Sequence, residues 1–215
     1  SVLLLEGIFF YNFTSPEFNV NVCQLPFWAL VVFYSWKSIN YEKTSDLVLL
    51  GIFMSIGFLT KYLFIYLILA VKIIFIINLL KKKKFRIKLL IPGVIFMFFL
   101  LPHIIWLFQN NFSTITYALN RTGIEEDNFI NHFYNPFLFL IKQTAILTPI
   151  FIMLFTFIKI KKIKFNNLKK NNYFLLLINI IPVILIFLTS VISGAKIRTM
   201  WMTPFYLFFG VLLIQ

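Results

Sequence analysis

Cysteine is almost missing from this chain. Cys23 is the only one in 215 residues, so no intramolecular disulfide framework exists. Acidic residues are nearly as scarce, with seven Asp and Glu in all and 13% charged residues overall. The two histidines, His103 and His132, lie far apart and have no Cys or His companions at ligand spacing, which argues against a zinc site. No glycine-rich phosphate-binding loop occurs, so nothing points to a nucleotide ligand. Internal repeats, heptads and any polar stretch long enough to make a soluble domain are also missing.

What fills the chain instead is apolar. Hydrophobic residues make up 60% of it, 29 of them Phe, and the mean hydropathy is +0.91. Soluble domains are about 45–50% apolar, so the composition is that of an integral membrane protein. A spanning helix needs about 20 apolar residues. Stretches of that kind run over 1–13, 21–38, 47–59, 62–80, 89–108, 136–158, 173–192 and 199–215. The expectation is all-α: a single domain over 1–215, a polytopic transmembrane helix bundle with about eight membrane segments. The chain starts at Ser1 and stops at Gln215, both inside apolar stretches, and is read as an internal fragment of a longer protein.

The formal net charge of +13 could suggest nucleic acid, but its placement argues otherwise. Fourteen of the 20 Lys and Arg fall in three short loops, 37–46, 81–88 and 159–170. Cytoplasmic loops carry such clusters under the positive-inside rule, so membrane lipids rather than nucleic acid are the expected partners. Putting all three loops on one side forces the chain to cross twice between 37–46 and 81–88. The stretch 47–80 must then break near Thr60 and Lys61. In that reading Lys61, within GFLTKYLF, sits at a tight turn on the far side of the membrane. The alternative is a lysine that snorkels to anchor a short helix.

The same parity places four segments outside: TSPEFN (14–19), LTKY (59–62), the loop from Gln109 to Pro136, and SGAKIRTMW (193–201). Their charges are Glu17, Lys61, Arg121, Glu125, Glu126, Asp127, Lys196 and Arg198, with His132 nearby. Basic residues are normally depleted on this side, yet four occur at three helix ends. If those ends converge, Lys61, Arg121, Lys196 and Arg198 form a site for an anion, since ammonium and guanidinium groups suit phosphate. If they do not, each anchors its own helix at the lipid headgroups. Within the long outer loop, FSTITYAL keeps apolar residues at helical spacing, which predicts a short helix across 112–121.

SPEFNVNVCQLPFWAL (15–30), GIFMSIGFLTKY (51–62), LPHIIWLFQNNFSTITYALNR (101–121) and SGAKIRTMWMTPFYLF (193–208) follow one another in a familiar order. Together they resemble the bacterial polyprenyl-phosphate-sugar glycosyltransferases of the C-type membrane fold. That superfamily includes protein O-mannosyltransferases and the lipid A aminoarabinose transferase. The resemblance implies a multi-pass protein of the bacterial inner (plasma) membrane. It would move a sugar from a polyprenyl phosphate to a lipid or protein acceptor on the extracytoplasmic face, with inversion. The implied catalytic base is a carboxylate on an outer loop upstream of Ser1, with Glu17 as a weak candidate inside the chain. Arg121 resembles the outer-loop arginine that contacts the donor phosphate, and Lys196 the lysine of a turn before an aromatic helix, extended by Arg198. Where the family commonly carries an acid ahead of QLPFWAL, this chain has Asn21, which puts a divalent-metal role there in doubt; no cofactor is expected. A different class stays open, a transporter or flippase for an anionic lipid or solute using the same basic residues. A membrane polymerase or ligase of surface glycans is the third reading. The sequence upstream of Ser1 would separate them, since an acidic pair after a single helix favours the transferase.

Overall fold

The computed structural model describes residues 2–14, 17–83, 86–123, 128–160 and 170–214. Glu125, Glu126, Asp127 and most of the basic loop 159–170 lie outside them. Among the described residues the chain is helical. Four helical stretches are long and apolar enough to span a bilayer: Tyr62–Lys82, Ile87–Gln109, Asn131–Phe155 and Asn172–Ser193. Hydrocarbon offers the backbone no hydrogen-bond partners, so apolar runs of this length satisfy their own N–H and C=O groups as helices. With these spans the chain is a multi-pass membrane protein. Of the about eight segments expected, α2 (Val20–Tyr41) and α3 (Thr44–Thr60) form additional helices, α3 being short at 17 residues. The two terminal stretches are broken. Residues 2–14 form a four-residue helix, α1 (Val2–Leu5), and a π-helical turn, Phe10–Thr14. Residues 199–214 form a 3-10 helix, Thr199–Tyr206, and then α9 (Phe209–Ile214). Pro204 lies inside that 3-10 helix and has no N–H to give to a continuous α-helix.

The chain divides into two compact units, Cys23–Asp127 and Ser1–Val22 with Asn128–Gln215. The first is built on α2, α3, α4 (Ile65–Lys82), α5 (Ile91–Gln109) and α6 (Ser113–Asn120). Side-chain contacts fix their directions. Along α2 and α3, Trp28 meets Phe64 just beyond α3, Tyr34 stacks on Phe53, and Lys37 pairs with Asp46 at 2.8 Å, so the two run antiparallel. Between α3 and α5 the order is parallel. Gly51 lies against Pro92 and Ile95, and the Ser55 hydroxyl donates to Gly51 O (2.8 Å) and Phe96 O (3.5 Å). A Cβ on Gly51 would come within 2.8 Å of Pro92 O, so glycine is what lets these backbones approach.

α3 ends where charge parity requires. Lys61 is extended (φ −166°, ψ 132°), Tyr62–Phe64 make a 3-10 turn, and α4 follows. Phe64 folds back over Gly57, where any Cβ would overlap its ring. Thr60 donates to Gly57 O at 2.6 Å, capping a last-turn carbonyl. α4 then returns: Lys82 at its end contacts Glu42 at 2.9 Å, and Arg86 pairs with the same carboxylate. The loops 37–46 and 81–88 therefore meet at one end, and Lys61 is the tip of the hairpin between them.

In the second unit α7 (Asn131–Ile160) and α8 (Lys170–Ser193) pair antiparallel. The start of α7 holds the end of α8 through His132 Nδ1 to Val191 O (2.9 Å) and Asn135 Nδ2 to Gly194 O (2.7 Å). The terminal segments pack on α7 as well. Tyr206 donates to Gln143 Oε1 at 2.7 Å, Tyr11 donates to Thr203 O at 2.5 Å, and a Cβ on Gly7 would strike Ile150.

Candidate functional site

Three helices of the first unit, α2, α5 and α6, put polar groups at the Lys61 end. Gln24, on α2 and 1% exposed, donates to Lys61 O at 3.4 Å and helps fix the extended residue. The next residue, Tyr62, aims its hydroxyl between His103 Nε2 on α5 (2.8 Å) and Thr114 Oγ1 on α6 (2.7 Å). His103 in turn stacks on Trp106, with ring centroids 5.8 Å apart. A single phenol thereby ties the hairpin tip to α5 and α6.

That tie positions Arg121. The predicted helix in 112–121 is present as α6, Ser113–Asn120. Thr114, Tyr117 and Arg121 fall at i, i+3 and i+7, on one face. Arg121 donates to Tyr117 Oη at 2.9 Å, with its guanidinium 5.5 Å from the ring centroid. One end of the stripe is bonded to Tyr62, so the other is held where its charge is felt by Lys61. Burial, and then the Arg121 charge, bring the Lys61 ammonium down to about 8. Both causes destabilise the cation, and both are relieved by an anion placed between the two groups.

Lys196 and Arg198 belong to the other unit. After α8, Gly194 takes a left-handed conformation (φ 65°) that packs against Asn131 and His132 of α7. Residues 195–198 belong to no helix, and Arg198 is extended (φ −76°, ψ 135°). Burial alternates along them, with Ala195 and Ile197 buried and Lys196 and Arg198 both exposed. Ser190 donates to Ala195 O at 2.7 Å, so the segment is anchored from below. Glu17 is exposed just before α2; its carbonyl accepts from Asn19, whose own Oδ1 caps Asn21 N (2.9 Å) and Val22 N (3.3 Å). Asn21 is buried in that first turn.

Tyr62, His103, Thr114 and Tyr117 join the site without being singled out by the sequence. Thr114 and Tyr117 do not stand out along α6, whose Ser113, Thr116 and Asn120 are polar as well.

Residues 1–106 match the family model described as dolichyl-phosphate-mannose-protein mannosyltransferase. Comparison with curated proteins and with solved structures gives no match. The matched region includes Lys61, Tyr62 and His103, while Thr114, Tyr117 and Arg121 follow it. This match over just under half of the chain, together with the apolar helices, supports a likeness to the membrane glycosyltransferases of the protein mannosyltransferase family.

Proposed function

We propose that this chain transfers a sugar from a polyprenyl-phosphate donor to a lipid or protein acceptor at the extracytoplasmic face of the inner membrane. The observation that carries the reading is the Lys61–Arg121 pair at the hairpin tip, at the end of its unit opposite the basic loops. In the proposed reaction the acceptor oxygen attacks the anomeric carbon from the face opposite the phosphate, and the configuration inverts. The bond to the phosphate oxygen breaks with its electron pair, and negative charge grows on the lipid phosphate. Lys61 and Arg121 stabilise that charge, more in the transition state than in the bound donor. The acceptor proton goes to a carboxylate, expected on an outer loop ahead of Ser1, with Glu17 as the alternative in the chain. Lys196 and Arg198 are proposed as further phosphate contacts, and both units as parts of one domain with about eight membrane segments.

The test is sugar transfer by the full-length protein with Arg121→Ala and Lys61→Ala. Loss of transfer in folded variants supports the phosphate site, and wild-type rates in both would sink it. Cysteine labelling from outside checks the orientation: single sites in 109–123 should react and sites in 37–46 should not.

A further inference from the structure

Lys72 lies midway along the span Tyr62–Lys82, about 15 Å from either end at the helical rise. It is exposed, among the exposed Leu69 (37%), Ile76 (46%) and Leu80 (72%). Helical spacing puts these four on one face of α4, while Leu67, Ala70, Val71 and Ile74 are buried on the opposite one. Lys142 repeats the pattern in the other unit. It is exposed and close to the middle of the span Asn131–Phe155. Neither lysine has a hydrogen bond or ion pair to any described residue. A cation at the centre of hydrocarbon is costly and is retained where something pairs with it. A lysine side chain is too short to bring its ammonium from the midplane to a lipid phosphate, although near a helix end it would snorkel there. No Asp or Glu occurs within any of the four spans, so these spans in a second copy would offer no counter-charge.

We infer that the Leu69–Lys72–Ile76–Leu80 face of α4 docks another membrane-spanning helix that carries a carboxylate at its midpoint. The apolar residues on either side of Lys72 pack against that helix, and the ion pair fixes its depth and register. In lipid, leucine alone gives little preference for one helix over another, because the tails are as apolar as the side chains. The specificity of the face therefore rests on Lys72. Lys142 marks a second position on α7 with the same requirement.

The probe is a leucine-rich transmembrane peptide of about 20 residues, made with Glu, Leu or Lys at its centre. Its association with the full-length protein is read by energy transfer in phosphatidylcholine vesicles. The Glu peptide should associate at least tenfold more than the Leu peptide, and the Lys peptide less than either. Lys142→Leu should keep much of that preference. Lys72→Leu should remove the α4 share, and the double variant all of it. Leucine suits a lipid-facing helix, so these variants remain folded, and sugar transfer or a thermal melt confirms it. Equal association of the Glu and Leu peptides with the wild-type protein would overturn the inference. So would a preference that survives in the double variant.

Discussion

The two ends of the Cys23–Asp127 unit both carry cations, but they handle them in opposite ways. At the end where the basic loops meet, acids lie within contact of the bases. Asp46, 2% exposed in the first turn of α3, pairs with Lys37, and Glu42 takes both Lys82 and Arg86. Asp46 also gains from the helix N-terminus, where backbone N–H groups favour negative charge. At the other end, Lys61 is half-buried and feels the Arg121 guanidinium as a repulsion, and the neighbouring hydrogen bonds are made by a phenol, an imidazole and hydroxyls. Carboxylate pairing settles the structure of the first end. The second keeps a cation under strain, and perturbed groups of that kind collect where ligands bind.

The strongest way to break this comparison is to remove a charge from the Lys61 end. Arg121→Ala should lower the rate of sugar transfer by about a hundredfold, the loss of one preorganised donor to developing negative charge. Arg121→Lys keeps the charge but loses the fork of donors, and should recover only part of it. The melting temperature should hardly move, because Arg121 is exposed. A rate within twofold of wild type would make the two ends equivalent.

Tyr62 is the next test. Tyr62→Phe keeps the ring but releases His103 and Thr114 together, and with them the position of α6. Transfer should fall by about tenfold through misplacement of Arg121. The stability cost should be about 1–2 kcal/mol for two lost hydrogen bonds. A stability loss with no change in KM for the donor would make Tyr62 purely structural.

Much of this end was legible in the sequence. The break at Lys61 followed from charge parity, since only a hairpin puts 37–46 and 81–88 together, and Glu42 with Lys82 now closes it. The α6 helix followed from the spacing in FSTITYAL. The Tyr62 junction was not legible, because its partners lie 41 and 52 residues away and each has an ordinary local role. Hydropathy marks 199–215 as one apolar stretch but cannot see that Pro204 divides it into a 3-10 helix and α9. The apolar stretch that starts at 136 also does not show where its helix begins. The helix starts at Asn131, where Asn128 O accepts from Asn131 N at 2.7 Å and Asn128 Oδ1 from Ile130 N at 3.2 Å.

Acidity sharpens the comparison further. With Lys61 lowered to about 8, donor binding should weaken as pH rises through that value, because the ammonium is lost. A bound phosphate favours the cation, so the midpoint in the donor complex should lie higher than in the free protein. The stability effect has the opposite sense. The unfolded lysine titrates near its ordinary 10.5, so between about 8 and 10.5 the unfolded chain holds more protons at this site than the folded one. The contribution of Lys61 to stability therefore rises with pH across that window. A donor KM that rises above pH 8 in the wild type and stays flat in Lys61→Met assigns the titration to this residue. A rise that persists in Lys61→Met would place it elsewhere.

The smallest effect should come from the opposite end. Glu42→Gln removes the carboxylate that Lys82 and Arg86 share, yet all three side chains are partly exposed, with 24% exposure for Glu42 and 40% and 50% for its partners. Exposed ion pairs contribute about 0–1 kcal/mol, because water screens the attraction and ordering long side chains costs entropy. Transfer should stay within twofold of wild type, and the melting temperature should drop by a few degrees at most, less in high salt. Glu42 does help hold the start of α3 beside the end of α4, so a larger loss would mean that the pair sets the hairpin geometry. In that case Lys61, at the far tip of the same hairpin, should shift its titration in Glu42→Gln. If stability falls and the Lys61 titration stays near 8, the two ends are independent, one holding the fold by carboxylate pairing and the other holding a cation for a ligand.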